Sequence, residues 1–264
     1  MNDAANVPPK KEKPSLFTSS DDLPPAPYHR LLIQALPKDG KTWTSIATSE
    51  GPTVVINSDD RHSLEGVARD GYKFDTVFCS GVDVQRIFTI IEALKVACNE
   101  GKYKTVIWDT ASKYAWRAVE VYADATKKPD PSKPDGKSEP DGRRYWLPFT
   151  NHMLTISDML VNLNAHVIVN VHYQDSYGKE IDGQAPKTGD GIVAHLPGSA
   201  LRTNFARDYQ NVVMLQINHK GEREFLWKRQ GVFGLGGRTL PKDVTSCEAN
   251  VQTLWKLIQG EKKT

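Results

Sequence analysis

The sequence predicts an α/β protein, with a mostly parallel sheet flanked by helices and an antiparallel C-terminal hairpin at one edge. Three observations predict it. Short apolar runs alternate along the chain with segments of helical rhythm, as β-α-β units require. The run Arg30-Leu31-Leu32-Ile33-Gln34 passes through a tight turn into a helical stretch at Lys41–Ser49. Near the end, two strand-like runs flank the turn Asn218-His219-Lys220-Gly221.

The elements follow in order. Residues 1–27 are polar, with Lys10, Lys11 and Lys13 among several prolines, and are expected to form a flexible tail. A core is expected over 28–240, and 241–264 should supply a C-terminal helix packed on or beside it. Arg30–Gln34, Thr53–Ile56, Phe74–Phe78, Thr105–Trp108 and His166–Val171 read as strands. Val82–Asn99 places Val84, Ile87, Ile90, Ile91, Leu94 and Ala97 at helical spacing, giving one buried face. Ala111–Ala125 and Leu147–Leu163 also read as helices. Between them Lys127–Arg144, rich in Lys, Pro, Asp and Gly, reads as a long loop, and Tyr173–His195 as a second. Unstructured segments beyond about 12–15 residues are uncommon in compact domains and often functional. Asn211–Ile217 and Glu224–Lys228 form the closing hairpin, and Cys247–Ile258 an amphipathic helix.

A length of 264 residues accommodates one sizeable α/β core or two small domains, and 39% hydrophobic with 25% charged residues fits a soluble globular chain. No apolar run approaches the roughly 18 residues of a membrane span, so no membrane partner is expected. Cys79, Cys98 and Cys247 lack metal-ligand spacing, which points to a reducing cytoplasm. A net charge of +2 neither demands nor excludes nucleic acid.

The chemistry concentrates at Ala35-Leu36-Pro37-Lys38-Asp39-Gly40-Lys41-Thr42, a phosphate-binding P-loop with alanine at the usual first glycine. Leu36 to Thr42 would cradle ATP with backbone N–H groups at a helix start. Lys41 would reach the β- and γ-phosphates, and the Thr42 hydroxyl would ligate Mg²⁺. Asp109, directly after an apolar strand, is placed to hold that ion through water. Asp59 and Asp60 both follow the second strand and either could activate the attacking water, with Asp59 the choice. His172, at the end of Val167–Val171, would sense the γ-phosphate. Plainer readings stand beside these: a chance match in an ordinary loop, helix-capping aspartates, a structural histidine.

These residues in this order resemble the RecA-type recombinase ATPase core, and most closely phage-encoded core-only recombination and single-strand annealing ATPases. The resemblance runs from about residue 29 to 230. It takes Val106–Thr110 as the Walker B strand and Val167–His172 as the strand ending in a polar sensor. Pro197-Gly198-Ser199-Ala200-Leu201-Arg202 is similar to the segment after the family's second DNA-binding loop. The strand end at Lys228 and Arg229 is similar to the one that reaches a neighbouring subunit's nucleotide in trans. The resemblance implies a Mg²⁺-dependent ATPase that binds single-stranded DNA, assembles with itself as an oligomer or filament, and meets a single-strand binding protein in a host cytoplasm.

It also puts the two long loops where the family's DNA-binding loops lie. The candidates there are Lys127, Lys128, Arg143, Arg144, Tyr145 and Trp146, then Tyr173, Lys179 and Lys187. From composition alone both stretches read equally as mixed-charge solvated loops, because Asp130, Asp135, Glu139 and Asp141, and Asp175, Glu180, Asp182 and Asp190, offset the cations. A helicase-loader or motor ATPase acting on a protein partner or duplex DNA, and a non-hydrolysing ATP-switched assembly module, remain as alternatives.

Overall fold

The computed structural model of the chain describes residues 28–127, 142–175, 192–227, 235–237 and 239–259. The strands are β1 (Arg30–Ala35), β2 (Thr53–Asn57), β3 (Asp75–Phe78), β4 (Thr105–Asp109), β5 (His166–Asp175), β6 (Ile192–Ala194), β7 (Asn211–Ile217), β8 (Arg223–Leu226), β9 (Gly236–Gly237) and β10 (Ser246–Glu248). The helices are α1 (Lys41–Ala47), α2 (Glu65–Arg69), α3 (Arg86–Asn99), α4 (Ala111–Asp124), α5 (Gly142–Val161), α6 (Ser199–Arg207) and α7 (Val251–Ile258). Every residue of β1, β2 and β4 is buried, as runs apolar on both faces require when helices cover both sides of a sheet.

The sheet order is β10-β8-β7-β1-β5-β4-β2-β3, with β6 beside β5 and β9 beside β7. Pairings from β7 across to β3 are parallel, while β8, β9 and β10 add antiparallel strands at one edge. Side chains alternate between faces and divide the core in two. Leu32, Val106, Trp108 and Val169 pack with Ile91, Tyr114, Phe149 and Phe205 from α3, α4, α5 and α6. Leu31, Ile33, Val55 and Ile168 pack on the other side with Ile46 of α1 and Leu254 and Trp255 of α7. The register sets Ala35 beside His172 and Asn57 beside Asp109, so the carboxyl ends of β1, β5, β4 and β2 share one edge. Open α/β sheets bind ligands at that edge.

Several expected boundaries are corrected. Arg143 to Trp146 belong to helix α5 and not to a loop, and Pro148 lies inside that helix. The Trp146 ring meets Phe149, and a Cβ at Gly198 would stand 3.2 Å from it, so packing outweighs the proline signal here. Tyr173 does not open a loop: β5 continues to Asp175 and pairs back with β6, Tyr173 facing Ala194. Ladder hydrogen bonds carry this strand past its apolar run into polar residues. Cys247 lies in β10 opposite Phe225, and the last helix starts only at Val251, where the Asn250 side chain accepts the Thr253 N–H. The third helix begins at Arg86, four residues later than its apolar rhythm suggests, with Asp83 accepting the N–H groups of Gln85 and Arg86. The 3₁₀ turn Arg61–Leu64, α2, β9 and β10 carried too little apolar pattern to be seen.

Candidate functional site

β1 ends at Ala35, and the loop Leu36–Gly40 turns it into α1. Gly40 has φ 90°, and Lys38 is also left-handed at φ 74°. An L side chain at Gly40 would be strained, and its Cβ would fall 2.7 Å from Arg223 Nε, because that guanidinium lies over the loop and donates to the Asp39 carbonyl at 3.0 Å. Arg223 also stands 5.6 Å from the centre of the Trp43 ring. The loop is further pinned by the Leu36 N–H on the Asp39 carboxylate.

Lys41, Thr42, Asp109 and His172 converge. Thr42 Oγ1 donates to Asp109 Oδ2 at 2.7 Å. Asn170 Nδ2 donates to Asp109 Oδ1 at 2.9 Å, and Ser45 Oγ donates to Asn170 Oδ1 at 2.9 Å. β5 lies between β1 and β4 in the sheet, which lets Asn170 link Ser45 of α1 to Asp109. Burial pushes the fully buried Asp109 carboxyl up, against the donors Thr42 and Asn170 and the charge of Lys41. Lys41 is only 6% exposed. Its Nζ donates to the Leu36 carbonyl at 3.2 Å and lies 3.0 Å from His172 Nδ1. Lysine has only donors, so Nδ1 accepts and the imidazole proton sits on Nε2. Burial, followed by the Lys41 charge, holds His172 down to about 4, which keeps that ring neutral. Burial likewise lowers Lys41, outweighing Asp109, Asp39 and Asp59.

A cavity of about 480 Å³ opens over these groups, with Gly40, Lys41, Thr42, Asp59, Thr110 and His172 among its walls. Its other end runs past Trp43 to Gly66 and Asp70. Asp59 thus shares the cavity with the P-loop. Burial alone would raise its carboxyl, but the hydrogen bonds from Lys113 and from the Asp60 N–H bring it below the usual range.

Of the residues expected at the site, Leu36 to Thr42, Asp59, Asp109 and His172 are brought together. Of the candidate DNA-contacting residues, the described ones are not among the groups that converge there, although Tyr173 directly follows His172 in β5. Lys127 follows α4 and pairs with Asp124. Arg143 and the exposed Arg144 lie in the first turn of α5. Tyr145 and Trp146 are neighbouring rings 5.1 Å apart, and Tyr173 is half-buried in β5. Lys128, Lys179, Lys187, Lys228 and Arg229 lie outside the described residues, as does the tail. Sequence reasoning missed Asn170, Ser45, Trp43, Ser112, Lys113 and Arg223. For Asn170 there was a signal: a lone amide within the apolar run Val167–Val171.

The hydroxyl of Thr42 and the carboxylate of Asp109 are hard oxygen donors suited to Mg²⁺, which keeps several waters and leans on few protein ligands. A desolvated carboxylate such as Asp109 is also a group whose ionised form a nearby divalent cation favours. Among the described residues no group of three or more His, Cys, Asp or Glu is placed to hold a metal. No helix among them is long and apolar enough to cross a membrane.

A family model described as the AAA domain matches residues 28–220. No curated protein matches the chain. Among solved structures it is similar to one described as a prototypical ATPase from the type III secretion system of pathogenic bacteria, with 10% identity and a TM-score of 0.45. That alignment covers 71% of this chain and 51% of the other, so the chain spans about half of that protein's length.

Proposed function

We propose, for a chain that belongs to the AAA-domain family of P-loop ATPases, that it binds and hydrolyses Mg²⁺-ATP while acting on single-stranded DNA, as RecA-type phage recombination and annealing ATPases do. The observation that carries the ATPase reading is the chain Ser45–Asn170–Asp109–Thr42 closing beside Lys41 under one cavity. Bound at Thr42 and, through water, at Asp109, Mg²⁺ would neutralise charge on the β- and γ-phosphates. Lys41 Nζ would leave the Leu36 carbonyl for phosphate oxygens. Asp59 would orient the attacking water, and His172, hydrogen-bonded to Lys41, would register whether the γ-phosphate is present. Phosphoryl transfer asks chiefly for such positioning and charge stabilisation.

The DNA reading is supported by exposed rings where α4 and α5 meet the connection from β6 to α6. Trp116, 40% exposed, lies 5.3 Å from the His195 ring, and Trp146, 37% exposed, stands against Gly198. Arg144 lies two residues before Trp146 in α5. Stacked aromatic residues with nearby cations suit single strands, each base–ring stack being worth about 1–3 kcal/mol. Self-assembly with Lys228 and Arg229 acting in trans, a single-strand binding protein as partner, a host-cytoplasmic location, and a division into a 1–27 tail, a 28–240 core and a 241–264 helix belong to the same proposal.

ATP turnover measured without DNA, with single strands and with duplex tests it, alongside mass measurement of assembly. Turnover is expected to rise with single strands, and Trp116→Ala and Trp146→Ala to weaken that response. Stimulation by duplex or a protein partner alone would replace this reading with a motor ATPase. Tight ATP binding without any turnover would replace it with an assembly switch.

A further inference from the structure

We infer that Lys113 is the positioning residue of Asp59, fixing one carboxylate oxygen so that the other is left for the attacking water. Lys113 lies in the first turn of α4, just beyond Asp109. Its neighbour Ser112 accepts the backbone N–H of His172 at 2.9 Å. One helical turn therefore ties the ends of β4 and β5 to the loop after β2. Lys113 Nζ donates to Asp59 Oδ1 at 2.5 Å, and the Asp60 N–H donates to the same oxygen at 2.7 Å. The Asp59 backbone is itself anchored, its N–H on Asn57 Oδ1 at 2.8 Å. Asp59 Oδ2 has no hydrogen bond among the described residues.

Stability does not account for this pair. Lys113 is 46% and Asp59 30% exposed at the side chain, and exposed ion pairs contribute about 0–1 kcal/mol. Orientation does account for it. In a loose phosphoryl-transfer transition state little proton abstraction is demanded, so an ionised, fixed carboxylate serves better than a strongly basic one. The other charged and titratable groups that face Asp59 are Lys41 from α1, Asp109 from β4 and His172 from β5. Of the groups facing it from other elements, only Lys113 touches the carboxylate.

The inference rests on Asp59 as the water-orienting group, so the test includes Asp59→Asn. Steady-state ATPase is measured for the original protein, Lys113→Met, Lys113→Arg, Asp59→Asn and the Lys113→Met, Asp59→Asn double variant. Lys113→Met is expected to lower kcat about tenfold or more, the scale of a displaced reacting group. KM for ATP, the thermal shift on Mg²⁺-ATP binding and the urea midpoint should stay put. Lys113→Arg should recover most of the rate, and Lys113→Met should add nothing in the Asp59→Asn background. Unchanged or raised kcat in Lys113→Met, or an equal loss in both backgrounds, overturns the assignment. Full turnover in Asp59→Asn removes instead the reading beneath it, and absent turnover in the original protein removes both.

Discussion

Replacing Lys41 with Met is expected to abolish nucleotide binding while leaving the ligand-free protein as stable as before, or more stable by up to about 2 kcal/mol. The ammonium is buried at the cavity floor with two acceptors, the Leu36 carbonyl and His172 Nδ1. Its third N–H has no acceptor among the described residues. Taking an ion out of water costs several kcal/mol even after relaxation. Two hydrogen bonds from a charged donor return about 1.5–3 kcal/mol each. These terms nearly cancel, and the lowered pKa of Lys41 shows on which side the balance falls. The folded chain holds that proton less tightly than the unfolded chain, so the charged lysine opposes folding at neutral pH. Methionine keeps the apolar stem and removes the charge. Urea unfolding with and without Mg²⁺-ATP reads both effects. At a hundredfold excess over Kd the ligand adds about 2.7 kcal/mol to the original protein and should add nothing to the variant. A ligand-free loss above about 1 kcal/mol, on the scale of a net hydrogen bond, would show that the lysine is structural and refute the reasoning, as would a retained ATP shift.

Other perturbations test neighbouring parts. Gly40→Ala should cost about 1–3 kcal/mol in urea unfolding, the left-handed backbone supplying about 1–2 of it and the displaced Arg223 the rest; adding Arg223→Ala should return only the steric part. Asn170→Ala strands Asp109 Oδ1 and Ser45 Oγ in a buried layer, and a loss of about 2–4 kcal/mol is expected by the same measurement. Burial lowers His29, His152 and His172 from 6.5 to about 4. The unfolded chain then binds more protons across that interval, so stability is complete above pH 6.5 and is lost as pH falls toward 4. His152→Gln, which keeps a hydrogen-bonding partner for the Tyr114 hydroxyl, should flatten that slope in midpoint-against-pH measurements.

The elements legible in the sequence were those whose signal is local. β1, β2 and β4 are apolar on both faces, and the P-loop carries its glycine, lysine and threonine in fixed order. Asp109 could be placed because it ends an apolar run, and Asp59 because it follows one. Less legible was whatever depends on a partner far along the chain. Arg223 lies 183 residues beyond Gly40, yet its guanidinium fills the space a side chain there would need. α5 begins ahead of a proline because Phe149 meets Tyr122 and Trp146 stands against Gly198, contacts no window of sequence reveals. Nothing local marks Lys113, because its contact with Asp59 depends on β2 and β4 lying side by side, their register bringing Asn57 next to Asp109.

The two ends of β1 show how buried charge separates scaffold from site. At its start Arg30 is buried as well, but its guanidinium is met on all three nitrogens: Nε by the Val161 carbonyl at 2.6 Å, one terminal nitrogen by Ala165 and His29, the other by Leu163 at 2.7 Å. These carbonyls include the end of α5 and the turn after it, which orphaned C=O groups at a helix terminus require. Arg30 is therefore a clamp between helix and strand, with four of its five N–H donors spent on backbone carbonyls. Beyond the other end Lys41 has the same sign and comparable burial, yet meets two acceptors and faces a cavity. A cation spent on backbone carbonyls fixes the fold, and one that lines a cavity keeps affinity in reserve for an anion. On that physical ground, independent of motif, an anion belongs at the Lys41 end of the strand and not at the Arg30 end.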